Sequence, residues 1–462
     1  MTALPQTQVK PAMLGVATGA SVVMFVCLTV MDQPYDIAVT AAITLLVAIM
    51  WVTEALPIPV SSLVPFFAFP LAGVLTHREA AAALGSHVIL LLMGAFMLSK
   101  ALEKSGVHER LAYSMLRLTG AQSAKRLVLA FMLTAAFLSM WISNTATALM
   151  LMPIALALIA KLGDARLATV LLLGIAYAAS LGGVGTPIGT PPNIIFMSVY
   201  EEFTGQQVSF VEWMKTGVPI VFIAIPLMAL WLTRGLGSLP ALSIPVMGRW
   251  RSAEKRVFIA FAAVAMAWVL RPQWTALLGV EGVSDSTVAL AGVVLMCIIP
   301  SGGSQSKKDY LLDWDTARDI PWGMLLLFAG GICIASAFKA SGLSQVLGDA
   351  LSGLTVLPIF LLVLGLCLAV SFLTEITSNT ATATLLMPIL ASAALANQID
   401  PRLLMIPAAI SASCAFMLPV ATAPNAIVYG TGKISIQQMA KEGAMLNVMV
   451  GVVVACVIAM QY

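Results

Sequence analysis

Two triplets, Ser143-Asn144-Thr145 and Ser378-Asn379-Thr380, carry the polar groups on which the chemistry of this chain must rest. Each lies inside a longer repeat. Residues 137–154 read FLSMWISNTATALMLMPI and residues 372–389 read FLTEITSNTATATLLMPI, with twelve of eighteen positions identical. Asn offers a donor and an acceptor, Ser and Thr a hydroxyl. A polar step between two apolar segments is costly in a bilayer unless its backbone lines a cavity. A matching pair of interrupted segments in two halves of a membrane protein points to a transporter's binding site. Helices beginning at Asn144 and Asn379 would aim first-turn amides and the positive end of the helix dipole into that cavity, which suits a carboxylate. No Lys or Arg lies in either repeat or in the Gly- and Pro-rich segments 185–193 and 417–425. A dianion held there by side chains alone would be under-compensated, and bound monovalent cations supply the missing charge most simply. Ser139 and Ser143 lie one turn apart, and Thr374 and Ser378 take the same places in the second copy. Their hydroxyls, with carbonyls freed at a broken helix, are hard oxygen ligands of the kind Na⁺ takes. The alternative for each hydroxyl is a bond back to its own helix; repetition of the set favours the ion site. Glu375 stands where the first copy has Met140, and either a proton- or cation-tuning role or a scaffold-facing one fits it.

These triplets need a membrane scaffold, and the composition provides for one. The chain has 462 residues, 60% hydrophobic and 10% charged, where soluble domains carry about 25% charged residues. A net charge of +3 over this length is no nucleic-acid footprint, so the few basic residues read as topology signals. Six cysteines fall in apolar segments without metal-ligand spacing, and His77, His87 and His108 do not cluster, which argues against zinc or haem. Neither triplet has a His or Cys neighbour to serve an enzyme, and the chain has no Walker loop for ATP-driven transport. The polar start MTALPQTQVK leads into a full span rather than a cleavable signal peptide.

The expected fold is an all-α polytopic membrane protein: two inverted repeats of five transmembrane helices plus one extra N-terminal helix. Each repeat has a re-entrant hairpin and a broken helix. Residues 1–35 hold the tail and first span, 36–233 the first repeat, 234–255 a linker and 256–462 the second repeat. The hairpins cover 126–160 and 356–396; the arms of the first, near 126–141 and 146–160, are each too short to span about 30 Å alone. One broken helix covers 168–200, unwound at about 185–193, where successive prolines remove donors and push their neighbours out of the helical region. The other covers 402–429, setting Pro419 over Pro187, Thr422 over Thr190 and Asn425 over Asn193. FAGGICIASAFKASGL (328–343) echoes MGAFMLSKALEKSGV (93–107). Glu54, ahead of Pro57, Pro59, Pro65 and Pro70, reads as a buried cap or an interfacial residue, and residues 103–126 as an amphipathic helix in the interface.

With hairpins counted as zero crossings, each half has an odd number of spans, which inverts the second copy. An N-terminus inside puts about nineteen of the 24 Lys and Arg residues in the cytoplasm. Residues 143–145 then tip a hairpin from the cytoplasm, residues 378–380 one from outside, and the C-terminus lies outside.

The chain resembles the divalent anion/sodium symporter family, the INDY-type and mammalian sodium–dicarboxylate, citrate and sulfate carriers. The resemblance rests on the two Ser-Asn-Thr tips, TEALPIPVSSLVP (53–65), GTPPN (189–193) and SCAFMLPVATAPNAIV (413–428). It implies that Asn144, Thr145, Asn379 and Thr380 touch substrate, with Thr190 and Ala423 of the breaks. It implies one sodium site from Ser139, Ser143, Asn144 and the carbonyl near Gly189, and a mate from Thr374, Thr377, Asn379 and the carbonyl near Ala421. Ala423 departs from the family's Thr-Pro-Pro-Asn, which bears on substrate size preference or local backbone stiffness. Also implied are a homodimer in a bacterial inner (plasma) membrane and a transport domain that moves like an elevator against a static scaffold. The expected function is sodium-coupled symport of C4-dicarboxylates such as succinate, malate and fumarate, since two equivalent tips offer two carboxylate-sized sites. A sodium-independent dicarboxylate exchanger and a sodium-coupled citrate or sulfate carrier are the alternatives. An anion channel would need a continuous pore, against which opposed broken hairpins argue.

Overall fold

The computed structural model describes residues 9–119, 123–237, 248–302, 309–350 and 358–461, and the named elements among them are helices. Nine helical stretches among the described residues are long and apolar enough to cross a membrane. Their burial sorts them. Pro11–Val30 is apolar throughout yet only 6% buried, as a helix facing lipid would be, whereas Ala165–Gly185 is equally apolar and 94% buried, the inner pillar of the bundle.

Both repeat segments fold as hairpins. The first has a leading arm Ala124–Ser139 and a trailing arm Asn144–Leu162; the second has Ile359–Thr374 and Asn379–Ala396. The trailing arms begin at the tip asparagines, as expected. They run 19 and 18 residues, past Pro153 and Pro388, and each is long and apolar enough to cross a membrane. The expectation of two short arms therefore holds only for the leading arms, of 16 residues each. Gly163, at a left-handed φ of 67°, stops the first trailing arm.

Both helices expected to break do so. Ala165–Gly182 passes through a 3-10 turn, Gly183–Gly185, and restarts as Pro191–Thr204. The restart comes at Pro191 rather than after Asn193. Pro at the first helical position loses only an N–H that has no helical partner. Arg402–Ala412 and Ala423–Tyr429 form the second broken helix. The Pro-rich stretch after Glu54 splits into Ile58–Ser61 and Val64–Leu71. Glu54 terminates Tyr35–Thr53 at a φ of 49°, with its side chain exposed rather than buried. Val107–Thr119 is the amphipathic helix. Of the expected linker, 238–247 lies outside the described residues and the next helix already begins at Ser252; positions 356 and 357 and residues 1–8 also lie outside them.

The halves exchange partners around the pillar. Pro191–Thr204 packs on the trailing arm Asn379–Ala396, and Ala423–Tyr429 packs on the trailing arm Asn144–Leu162. Each half thus completes the other's hairpin. Small residues permit the contact, as membrane bundles require. A methyl on Gly182 would fall 2.4 Å from the Ala136 backbone, so the leading arm and the pillar touch chain to chain.

Candidate substrate and cation site

The hairpin tips and the breaks face one cavity of about 810 Å³. Its floor is Ser143–Thr145, Ile188–Pro191, Thr377–Thr380 and Val420–Pro424. Its wall is one face of the helix His87–Ser105, through Leu92, Phe96, Ser99 and Lys100. Glu54, Lys100, Glu103 and Asp319 also line the cavity; Glu54 and Asp319 are exposed, which marks this end as its mouth, and the Lys100 ammonium lies 3.0 Å from Glu103 and 3.6 Å from Asp319.

The two tips repeat one arrangement. Ser139 Oγ donates to Asn144 Oδ1, and Thr374 Oγ1 has Asn379 Oδ1 at 2.7 Å and Ala412 O at 3.0 Å as acceptors for its one proton. Ser139 and Thr374 are fully buried. In each half a hydroxyl oxygen and an amide oxygen thus converge at the N-terminus of a trailing arm. Next to the first pair, a methyl on Gly183 would stand 2.7 Å from Gly189 O and 3.0 Å from Asn144 Oδ1. The absent side chain leaves a cradle edged by oxygens, which is what a small hard cation requires.

The other expected residues fall as follows. Asn144, Thr145, Thr190, Asn379, Thr380 and Ala423 all line the cavity. Thr190 Oγ1 lies 3.1 Å from Ser413 Oγ, which joins the two breaks. Ser143 Oγ caps its arm by accepting from Ala146 N–H at 3.1 Å. Thr377 Oγ1 donates to Leu373 O at 2.8 Å and lies 2.6 Å from Thr382 Oγ1, the local back-bond that competes with ion binding. What Thr377 can offer a cation is its carbonyl. Gly189 and Ala421 line the cavity at the breaks.

Two residues of the site came with no expected role, and a third, Glu375, with two alternatives. Asn193 and Asn425 brace the breaks through their side-chain amides, and their Oδ1 atoms are buried without a partner. The paired Pro-Asn steps were a signal for them. Glu375, 3% exposed, accepts from the backbone N–H groups of Phe416, Met417 and Leu418 at 2.7, 2.8 and 2.9 Å and from Asn447 Nδ2 at 2.9 Å. Its carboxylate is the anion that fills a nest of amides in the second break. In the first half Thr186 Oγ1 makes the corresponding tie by donating to Met140 O at 2.5 Å.

A helical membrane bundle whose duplicated broken elements face one polar cavity is the architecture of a secondary transporter. The citrate transporter family (CitMHS) matches residues 48–405. The chain belongs to that family, within the divalent anion/sodium symporters that the motifs implied. It is an integral membrane protein, and its relatives are transporters rather than enzymes. A sodium-dependent dicarboxylate transporter of Staphylococcus saprophyticus, SdcS, is 38% identical over 94% of this chain and 89% of its own. The SdcS of Staphylococcus aureus is 37% identical over 92% and 86%. Among solved structures, the YdaH transporter of Alcanivorax borkumensis has the same fold, with a TM-score of 0.57 at 14% identity over 83% of this chain and 87% of that one.

Proposed function

We propose that this chain is a sodium-coupled symporter of C4-dicarboxylates such as succinate, malate and fumarate, working as an elevator and as a homodimer. The observation that carries the proposal is the duplicated oxygen pair, Ser139 with Asn144 and Thr374 with Asn379, at two helix N-termini in one cavity. Each substrate carboxylate meets a tip: first-turn amides, the Asn amide and the hydroxyls of Thr145 and Thr380, with Thr190 and Ala423 completing the floor. Na⁺, carried as co-substrate, sits between the oxygens of Ser139, Asn144 and the Gly189 carbonyl, with Ser143 beside them. A second Na⁺ takes the places of Thr374, Asn379 and the carbonyls of Thr377 and Ala421. Lys100 is the one basic side chain among the described residues of the cavity lining, so the cations and helix ends balance the dianion. We place this end of the cavity, where Lys104 follows Glu103 and Arg251 donates to Ser105 O, on the cytoplasmic side by its basic residues and read the state as inward-open.

A second reading, a tricarboxylate cargo, is favoured by the family's description as citrate transporters and by the size of the cavity. Uptake of labelled succinate and of labelled citrate into proteoliposomes, with and without a sodium gradient, separates the two. Sodium-driven succinate uptake is expected, and Asn144→Ala and Asn379→Ala should each abolish it in folded protein. Succinate counterflow that ignores sodium would instead establish the exchanger.

A further inference from the structure

The far end of the helix that walls the cavity makes contacts with residues outside the cavity lining. The helix His87–Ser105 reaches the mouth at Glu103, and its first residue lies about 24 Å back along the axis at 1.5 Å per residue. There His87 Nε2 sits 3.3 Å from Glu201 Oε2. Glu201 is on the helix Pro191–Thr204, whose first residue lines the same cavity. The two helices therefore stand apart at the cavity and touch at the far end. Between these points runs an apolar seam of Val88 and Ile89 against Ile194, Ile195 and Val199, backed by Phe328 and Ile332. The void within it, about 10 Å³, is no larger than one water needs.

Two more groups grip the end of the helix Pro191–Thr204 and the segment that follows it. Lys339 Nζ donates to Glu202 O at 3.0 Å. Asp285 Oδ2 accepts from Phe210 N–H at 3.0 Å, and the Phe210 ring stacks on Trp268 with centroids 4.9 Å apart. Side chains from four other helices thus converge on the stretch 201–210.

We propose that His87, Lys339 and Asp285 form a latch on the 201–210 stretch that keeps the far side of the cavity closed, and that its release exposes the site to the opposite face of the membrane. The proposal rests on the carrier reading above. A carrier must present one site to either side in turn. Opening the far side parts the seam, so His87 must leave Glu201 and Lys339 must leave Glu202. The His87–Glu201 contact is partly exposed, at 31% and 27%, and a partly exposed contact of this kind is individually weak whether or not the imidazole carries a charge. That suits contacts remade in every cycle, with the apolar seam excluding water while they hold.

The test uses a cysteine-free chain carrying Val420→Cys, a position 84% exposed within the cavity. It is labelled with a membrane-impermeant maleimide from each side in oriented vesicles. With the latch intact, labelling should run from the mouth side and be slow from the far side. Glu201→Gln with Lys339→Met should raise the far-side rate several-fold and lower the mouth-side rate, because a two-state equilibrium moves both in opposite senses. Lys339→Met alone should give the same signs at smaller size, which keeps the test alive if the double variant folds poorly. His87→Glu combined with Glu201→Lys should return both rates toward the parent. Unchanged rates on both sides, or faster labelling from both, would overturn the latch. Loss of sodium-dependent succinate binding in the parent would overturn the carrier reading instead.

Discussion

Asn193 and Asn425 brace the two chain breaks in the same way. Asn193 Nδ2 donates to Gly183 O at 3.0 Å and Thr186 O at 2.8 Å; Asn425 Nδ2 donates to Ala415 O and Leu418 O, both at 3.0 Å. The accepting carbonyls lie ten and seven positions earlier in each case. One buried amide per half thus fixes the bend that presents the Gly189 or the Ala421 carbonyl. Asn193→Leu keeps the branching at Cγ, with a larger side chain, and strands two buried carbonyls, at about 1–3 kcal/mol each. It should lower the unfolding temperature and blunt the stabilisation that sodium confers, both read by thermal unfolding in a sodium series. A variant as stable and as sodium-responsive as the parent would make the brace dispensable.

Gly183→Ala tests the first cation cradle directly. The added methyl would sit 2.7 Å from Gly189 O and 3.0 Å from Asn144 Oδ1, and the first of these is backbone that cannot swing aside. The second half already carries Ala415 at the matching position, so the helix turn itself tolerates alanine. The expected outcome is a raised sodium concentration for half-maximal succinate binding, by about tenfold for each 1.4 kcal/mol of cation affinity lost. Folding should persist. An unchanged sodium requirement would place the cation elsewhere.

The tips and breaks were legible in the sequence because duplication prints the same polar step twice, and prolines betray where a helix must stop. The mouth was not. Glu54, Lys100, Glu103 and Asp319 come from three distant segments that share no motif, and only packing brings them to one cavity. Thr377 shows a finer limit. The resemblance implied it as a cation ligand, yet its hydroxyl turns back to Leu373 O, a choice of rotamer that composition does not reveal. Glu375 remained open between two roles because three of its partners are backbone amides 41 to 43 residues away, which no side-chain pattern records.

Glu375→Gln should separate support from tuning. Glutamine keeps the shape but turns an NH₂ toward amides that the carboxylate accepts, and a hydrogen bond to a charged group is worth about 1.5–3 kcal/mol. Reduced thermal stability without sodium is expected. The half-saturating sodium concentration should rise as well, since Thr374, the neighbouring residue, shares the second oxygen pair. Loss of stability with an unaltered sodium curve would leave Glu375 a purely structural tie.

Coupling is the most demanding consequence of a cavity so poor in basic side chains. A dianion that owes its charge balance to co-bound cations must bind more tightly as sodium rises. Reciprocity requires that succinate raise sodium affinity by the same factor. Thr374→Val keeps the shape and removes the hydroxyl that now has Asn379 Oδ1 and Ala412 O as acceptors. Ser139→Ala removes its counterpart beside Asn144. Each variant should shift half-maximal succinate binding to higher sodium, with affinity recovering at saturating sodium because the carboxylate donors are untouched. Losing both should shift it further than either alone, since the two oxygen pairs serve separate ions. The measurement is succinate binding to purified protein across a sodium series, with choline holding ionic strength constant. Binding that is indifferent to sodium in the parent would remove the symport mechanism and leave exchange.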